Sequence, residues 1–300
     1  MDAGTRSAME ASAQKYFDLS AKGDVATLRQ NAIPAVAGNF GGIESSLREN
    51  HESFSAAQAT IRPPYLLHAE GKEPLARAEF LCGVFGKSGQ TANSAVFVIP
   101  NLPPGDYGVA ILDVAGKTPA TLSFVLQKVG SDWKLAGFYA RATQVAQHDG
   151  QWFWERARDF KAKGQNRNAW LYYLEARDLM APVPFMSTLA TDKIYDEMQP
   201  MQLADLPTSG SPVDLSAGGK TYRLTHAFPV GAGSDVDLVV KYAAADVSNA
   251  NLTYQENMAL IKALVAKYPE FRDGFTAIIA RAVEPSGKDY GTMVAVKDIK

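Results

Sequence analysis

Histidine is the residue type of this chain that is best suited to acid–base or metal chemistry. The sequence contains four histidines, which are far apart from one another: His51, His68, His148 and His226. Because a metal site needs several ligands that lie close together, these histidines predict no metal site. His51 follows Ile43 and Leu47 at four-residue intervals, so it shares the apolar stripe of a helix. We expect a helix-edge histidine with one hydrogen bond, and the alternative is the acid or base of a pocket.

No other motif in the sequence assigns a catalytic residue or a cofactor. Glycine-rich phosphate loops and the GxSxG elbow of hydrolases are absent from the sequence. Cys82 is the only cysteine, which excludes an internal disulfide and a cysteine-based metal cluster. It lies in AEFLCGVF, a predicted strand, where we expect it to pack as a small hydrophobic residue.

The composition is typical of a globular protein. Hydrophobic residues make up 46% and charged residues 21% of the 300 positions, and this length suggests about two domains. The net charge of −2 argues against a nucleic-acid surface, which needs clustered positive charge. No apolar run has the length of a membrane span. Met1 to Ser20 lacks the apolar core of a signal peptide, and the alternative of a bacterial periplasmic or secreted protein with its signal removed stays open.

The segment from Gln151 to Pro182 has the pattern of two helices joined by a tight turn. Apolar residues recur at helical spacing on both sides of Gly164-Gln165-Asn166. Gly164 is suited to the left-handed position that ends a helix, and Pro182 stops the second helix. The pattern therefore predicts a helical hairpin in the middle of the chain.

This hairpin resembles one tetratricopeptide repeat (TPR), a family in which aromatic, small and glycine residues recur at fixed offsets. The matching residues are Phe153, Ala157, Phe160, Gly164, Ala169, Tyr173 and Ala176. Two positions depart from the family: Ala181 replaces a proline, which follows as Pro182, and Arg156 replaces a leucine. A single repeat cannot bury both of its faces, and roughly three repeats make a stable array. We therefore expect the hairpin to pack on flanking segments.

The resemblance implies a peptide-binding groove on the first helix. The face that would turn toward such a groove carries Trp154, Arg158 and Lys161. Arginine and lysine there would favour an acidic protein or peptide segment, or a C-terminal carboxylate. The alternative is that Arg158 and Lys161 form a solvated helix face and that Trp154 belongs to the core between domains.

The first half of the chain predicts helices followed by strands. Helices are expected over 7–21, after an Asp24 cap, and over 43–54. Strands are expected near 65–70, 78–86, 94–100, 107–114, 121–128 and 133–141. This order predicts an α+β layer, with a curved antiparallel sheet and helices on one side.

That order resembles the NTF2-like superfamily, the cystatin-like α+β cone, over residues 7–145. The likeness is carried by TLSFVLQKVGSDWKLAGFYARA, where two long strands flank a hairpin turn and a Trp follows the turn. A competing stretch, FVIPNLPPGDYGVAILD, resembles the transthyretin-like β-sandwich of carboxypeptidase-regulatory domains. The three predicted opening helices favour the cone.

A cone of that superfamily encloses a pocket between its sheet and its helices, and some members are enzymes there while many bind ligands. The resemblance makes Tyr16 and His51 the pocket candidates, with Asp18, His68 and Asp113 as further titratable residues. No spacing ties these residues together, so no catalytic role is assigned to them. The alternative for Tyr16 is a helix residue without a functional role. The alternative for His68 is an exposed residue at the end of a strand.

The last third predicts a small α+β domain of order ββαββ. Residues 201–220 have linker composition, and KTYRLTHAFPV and DVDLVVKYAAA follow as a hairpin, with His226 expected on the face of Tyr222 and Leu224. Thr253 with Glu256 has the pattern of a capping box that starts an amphipathic helix. Two more strands are expected over 275–283 and 290–299.

Together these patterns predict an α+β protein in three parts: an NTF2-like domain over 1–145, a TPR-like hairpin and connector over 146–200, and a ββαββ domain over 201–300. The predicted function is that of a non-enzymatic binding or scaffolding protein that contacts a protein or peptide. The alternative is a carrier of a small apolar ligand, or an enzyme, that uses the pocket of the first domain.

Overall fold

The computed structural model describes residues 1–55, 57–201, 203–208 and 210–300. The fold is mixed α+β, as predicted. The chain forms two compact units. The N-terminal unit comprises Met1–Gln144 with Leu179–Asp192, and the C-terminal unit comprises Val145–Asp178 with Lys193–Lys300.

The elements are numbered in chain order. The helices are α1 (Ala3–Lys22), α2 (Val25–Gln30), α3 (Pro34–Ala37), α4 (Gly41–Ser55), α5 (Gly150–Ala162), α6 (Asn166–Met180), α7 (Leu189–Met198), α8 (Ala250–Lys267) and α9 (Phe271–Gly274). The strands are β1 (Gln58–Ile61), β2 (Tyr65–Ala69), β3 (Leu75–Gly86), β4 (Gly89–Leu102), β5 (Gly105–Ala115), β6 (Ala120–Val129), β7 (Asp132–Ala142), β8 (Gln144–Val145), β9 (His148–Asp149), β10 (Met186–Thr188), β11 (Val213–Ala217), β12 (Lys220–Ala232), β13 (Asp235–Ala243), β14 (Ala277–Val283) and β15 (Asp289–Ala295).

The predicted boundary at Gly23 and Asp24 is confirmed, whereas α1 and α4 are longer than the predicted 7–21 and 43–54, and α3 is an additional short helix. Gly23 ends α1 in a left-handed conformation with φ 69°. Asp24 then caps α2, because its carboxylate accepts a hydrogen bond from the Thr27 N–H at 3.0 Å. Helices α1, α2 and α4 bury apolar residues against one face of an antiparallel sheet of β1, β2, β5, β6 and β7.

The prediction that all these strands form one antiparallel sheet is wrong, because β3 and β4 do not pair with the other strands of that sheet. They pair with each other, and the other edge of β4 pairs with β10. Strand β5 cannot accept them, since β6 occupies one of its edges and β1 and β2 share the other. Residues 107–112 of β5 are buried in succession, so this strand needs cover on both faces. The sheet β10-β4-β3 supplies the second layer through a core that includes Ala78, Phe97 and Ile111.

In the C-terminal unit, α5 and α6 form the predicted hairpin. Gly164 adopts φ 73°, and the Gln165 N–H donates to the Phe160 carbonyl at 3.0 Å, which closes the end of the first helix. This closure satisfies a carbonyl that the last turn of α5 would otherwise leave unpaired.

The C-terminal sheet has the order β11-β12-β13-β14-β15. It contains the four predicted strands and one more, because β11 lies within the predicted linker, of which residues 202 and 209 fall outside the described residues. Strands β13 and β14 are parallel, which requires the crossover that α8 and α9 provide.

Two local predictions in this unit are wrong. Helix α8 begins earlier than the Thr253 pattern predicts, because the Asn249 side chain caps it by accepting from the Leu252 N–H at 3.1 Å. His226 does not share the face of Tyr222 and Leu224. A bulge between Leu224 and His226 shifts the register, so His226 is exposed.

Candidate functional site

The side chain of Glu197, in α7, is held by three side chains of the helical hairpin. Arg158 donates from Nε to Oε2 at 2.8 Å and from Nη2 to Oε1 at 2.5 Å. Trp154 Nε1 and the Tyr173 hydroxyl donate to Oε2 at 3.0 Å and 3.1 Å. One carboxylate therefore accepts four hydrogen bonds, two of them from a bidentate arginine.

Lys161 completes this arrangement, which we call the Glu197 cluster: Trp154, Arg158, Lys161, Tyr173 and Glu197. The Lys161 ammonium donates to the main-chain carbonyl of Glu197 at 2.5 Å. Because the last carbonyls of a helix lack partners within the helix, this bond satisfies the end of α7. The Arg158 guanidinium also lies 4.3 Å from the centre of the Trp154 ring, a cation–π contact.

The hairpin positions these donors through its helical spacing. Trp154, Arg158 and Lys161 follow one another at intervals of four and three residues, so they project from the same face of α5. The adjacent side of α5 is buried, with Phe153 and Ala157 fully enclosed. This packing fixes the rotation of α5 about its axis, and with it the direction of the three donors.

The electrostatics of the cluster favour an ionised carboxylate. The Arg158 hydrogen bonds, assisted by those from Trp154 and Tyr173, lower the pKa of Glu197 to about 2. Burial, together with the neighbouring carboxylate, raises the pKa of Tyr173, so its hydroxyl stays a donor. The hydrogen bonds that Arg158 donates to Glu197 raise the pKa of Arg158.

The Glu197 cluster reaches the surface. The side chain of Arg158 is 47% exposed and that of Glu197 is 29% exposed, whereas Tyr173 is fully buried. The site therefore combines a rigid, buried donor with a cation that solvent and other molecules can reach. Its donors are arranged to hold a carboxylate, here that of Glu197.

The two pocket candidates of the N-terminal unit do not come together. Tyr16 is 2% exposed, its hydroxyl donates to the Trp133 carbonyl at 2.8 Å, and burial raises its pKa to about 12. It lines a cleft of about 240 Å³ with Lys15 and Asp132 among its neighbours. His51 is exposed and lines a different cleft of about 390 Å³, where its ring lies beside Gly23.

The remaining titratable candidates are exposed and have local partners. Asp18 accepts from the Gln14 amide at 2.8 Å. His68 Nδ1 lies 2.6 Å from a carboxylate oxygen of Asp106, and His68 is an exposed residue near the end of β2, as the alternative reading predicts. Asp113 is held by Arg62, which is described below.

Sequence reasoning missed two members of the cluster. Tyr173 is recognisable as an aromatic position of the hairpin, but its hydroxyl carries no separate signal. Glu197 lies 39 residues after Arg158, in α7, and nothing in the spacing selects it from the other acidic residues there.

Among the residues that the structure describes, no group of three or more histidine, cysteine, aspartate or glutamate side chains is placed to hold a metal ion. Within the same residues, no helix has both the length and the apolar character that crossing a membrane requires. Comparisons with family models, with curated proteins and with solved structures found no match.

Proposed function

We propose that this chain is a non-enzymatic binding or scaffolding protein that holds a carboxylate of an acidic protein or peptide segment on the α5–α6 hairpin. The observation that carries the proposal is the convergence of four side-chain hydrogen bonds on the carboxylate of Glu197. The chain's own α7 segment shows the chemistry of the ligand, an acidic side chain presented from a short helix.

The surroundings of the site support recognition rather than a purely structural ion pair. A guanidinium binds a carboxylate through two parallel hydrogen bonds, which adds directional specificity to charge attraction. Arg158 is about half exposed and lies over the Trp154 ring, so its orientation is set before any partner arrives. A partner that carries an acidic side chain would compete with Glu197 for the same donors.

The likeness of the hairpin to a TPR unit remains part of this proposal. Its support is that the aromatic and small residues at the matching offsets are buried, namely Phe153, Ala157, Phe160, Ala169, Tyr173 and Ala176. The NTF2-like assignment of the N-terminal unit also remains a proposal, supported by helices on one face of an antiparallel sheet. The geometry favours binding over a carrier or an enzyme in that unit, because Tyr16 and His51 line separate clefts.

The proposal is tested with a variant whose internal ligand has been removed. Glu197→Ala frees the donors, and the probe is a labelled peptide with the sequence of residues 189–198, LATDKIYDEM. We expect Glu197→Ala to bind this peptide about tenfold more tightly than the wild type does, because no internal carboxylate competes. The same peptide carrying Glu197→Gln should bind more weakly. Fluorescence anisotropy measures both affinities.

Control variants separate recognition from a general charge effect. In the Glu197→Ala background, Arg158→Glu with Lys161→Glu should abolish peptide binding, whereas Lys163→Glu, an exposed lysine at the end of the same helix, should leave it unchanged. Propionate is a second probe, small enough to enter if α7 still blocks the peptide, and it should raise the melting temperature of Glu197→Ala alone. If neither peptide nor propionate distinguishes these variants, the hairpin is not a carboxylate receptor.

A further inference from the structure

Strand β3 forms an exposed edge of the N-terminal unit. It is the outermost strand of the sheet β10-β4-β3, and within 1–55, 57–201, 203–208 and 210–300 no strand pairs with its other edge. Along this strand Arg77, Glu79 and Leu81 are exposed, and the side chain of Leu81 is 66% accessible. A long strand with an open edge is a template on which another strand can pair.

The main-chain groups that face outward can be identified from the neighbouring strand. Opposite residues of an antiparallel pair either exchange both hydrogen bonds or exchange none. Val98 stands opposite Glu79, and its N–H donates away from β3, to the Phe185 carbonyl at 2.9 Å. Pro100 stands opposite Arg77 and has no N–H to give. The N–H and C=O groups of Arg77 and Glu79 therefore point to the open edge.

The side chains along this edge are complementary to those of a second copy. When two β3 strands lie antiparallel with Ala78 opposite itself, Arg77 faces Glu79 of the second copy, and Glu79 faces its Arg77. Leu75 then faces Leu81 of the second copy. Arg77 and Glu79 both carry outward main-chain groups, so their pair is also a hydrogen-bonded one. The charged pairs, the apolar pair and the main-chain hydrogen bonds are therefore all formed in the same register, with Ala78 opposite itself.

We propose that β3 is a dimerisation edge, on which a second copy of this chain pairs antiparallel to make a continuous six-stranded sheet. The side chains of Arg77 and Glu79 are 69% and 52% exposed and lie only 3.6 Å apart within one copy, so they can exchange their present contact for the one across the two-fold axis. This interface is separate from the Glu197 cluster and does not depend on the proposed binding function.

Sedimentation velocity over a range of protein concentrations tests the proposal. The mass should rise from the 32.4 kDa of the monomer toward twice that value as the concentration increases. Arg77→Glu alone and Glu79→Arg alone should each weaken the dimer by about tenfold, because each places like charges opposite one another twice. The double variant Arg77→Glu with Glu79→Arg restores both pairs and should restore the dimer.

A matched control uses another exposed pair of the same unit. Arg48 and Glu44 lie on α4 with side chains 74% and 50% exposed, and Arg48→Glu should leave the dimer unchanged. Circular dichroism confirms that the single β3 variants remain folded, and recovery in the double variant excludes misfolding as the cause of a loss. A protein that stays monomeric at every concentration overturns the proposal. A dimer whose affinity does not change when the charges are reversed also overturns the proposal.

Discussion

A bidentate arginine–carboxylate pair of the N-terminal unit and one of the C-terminal unit share a geometry and differ in their surroundings. In the C-terminal unit Arg158 holds Glu197 with distances of 2.5 Å and 2.8 Å. In the N-terminal unit Arg62 holds Asp113 with distances of 2.6 Å and 2.9 Å. The side chains of Arg62 and Asp113 are 43% and 50% exposed, whereas Glu197 is 29% exposed and also accepts from Trp154 and Tyr173.

The difference shows that the geometry of an ion pair does not by itself determine how much the pair contributes to the free energy of unfolding. An exposed ion pair adds little to the free energy of unfolding, because water stabilises the separated charges nearly as well as the pair does. In the Glu197 cluster the carboxylate also satisfies buried neutral donors, which have no water to replace it. We expect removal of Glu197 to cost more than removal of Asp113 for this reason.

The largest expected effect is on the free energy of unfolding. Glu197→Ala should lower it by about 2 kcal/mol, because Trp154 Nε1 and the Tyr173 hydroxyl lose their acceptor. Asp113→Ala should lower it by about 0.5 kcal/mol or less. Urea denaturation at neutral pH measures both values. Equal losses at the two sites would show that the additional donors contribute nothing.

The second prediction concerns pH. The pKa of Glu197 is lowered to about 2 in the folded protein from an ordinary value of 4.5. Because the folded value is the lower one, the stabilisation from Glu197 is fully present above about pH 4.5 and is lost as the pH falls toward about 2. The difference in unfolding free energy between the wild type and Glu197→Gln should therefore shrink across this window. A difference that stays constant from pH 5 to pH 2 would contradict the lowered pKa.

The smallest expected effect comes from a single hydroxyl. Tyr173→Phe removes one donor to Glu197 and keeps the buried ring, so it should lower the free energy of unfolding by about 1 kcal/mol. Tyr195→Phe is the matched control, since Tyr195 is 46% exposed, and its effect should stay within about 0.5 kcal/mol. Chemical denaturation of the two variants measures the difference. If Tyr173→Phe is as stable as its control, the hydroxyl does not support the carboxylate.

Local patterns predicted most of the elements. The opening helices, the hairpin and the strands β2 to β7 follow from periodicity and from turn residues, which act between neighbours in the chain. The helix end at Gly23 and the cap at Asp24 follow from the conformational and hydrogen-bonding properties of those side chains.

The errors lie where long-range pairing overrides a local pattern. The division of the strands into two sheets depends on which edges of β5 are already occupied, and no local signal carries that information. The exposure of His226 depends on a bulge, because one extra residue in a strand moves every later side chain to the other face. The predicted start of α8 is wrong because Asn249 and Thr253 are both suitable caps.

Helical periodicity, which is readable from the sequence, places Trp154, Arg158 and Lys161 on one face of α5. Only the tertiary structure decided that Glu197 meets those three side chains and Tyr173. The physical reason is that charge attraction acts through space: any of several acidic residues could satisfy the donors, and the packing of α7 on the hairpin selects one.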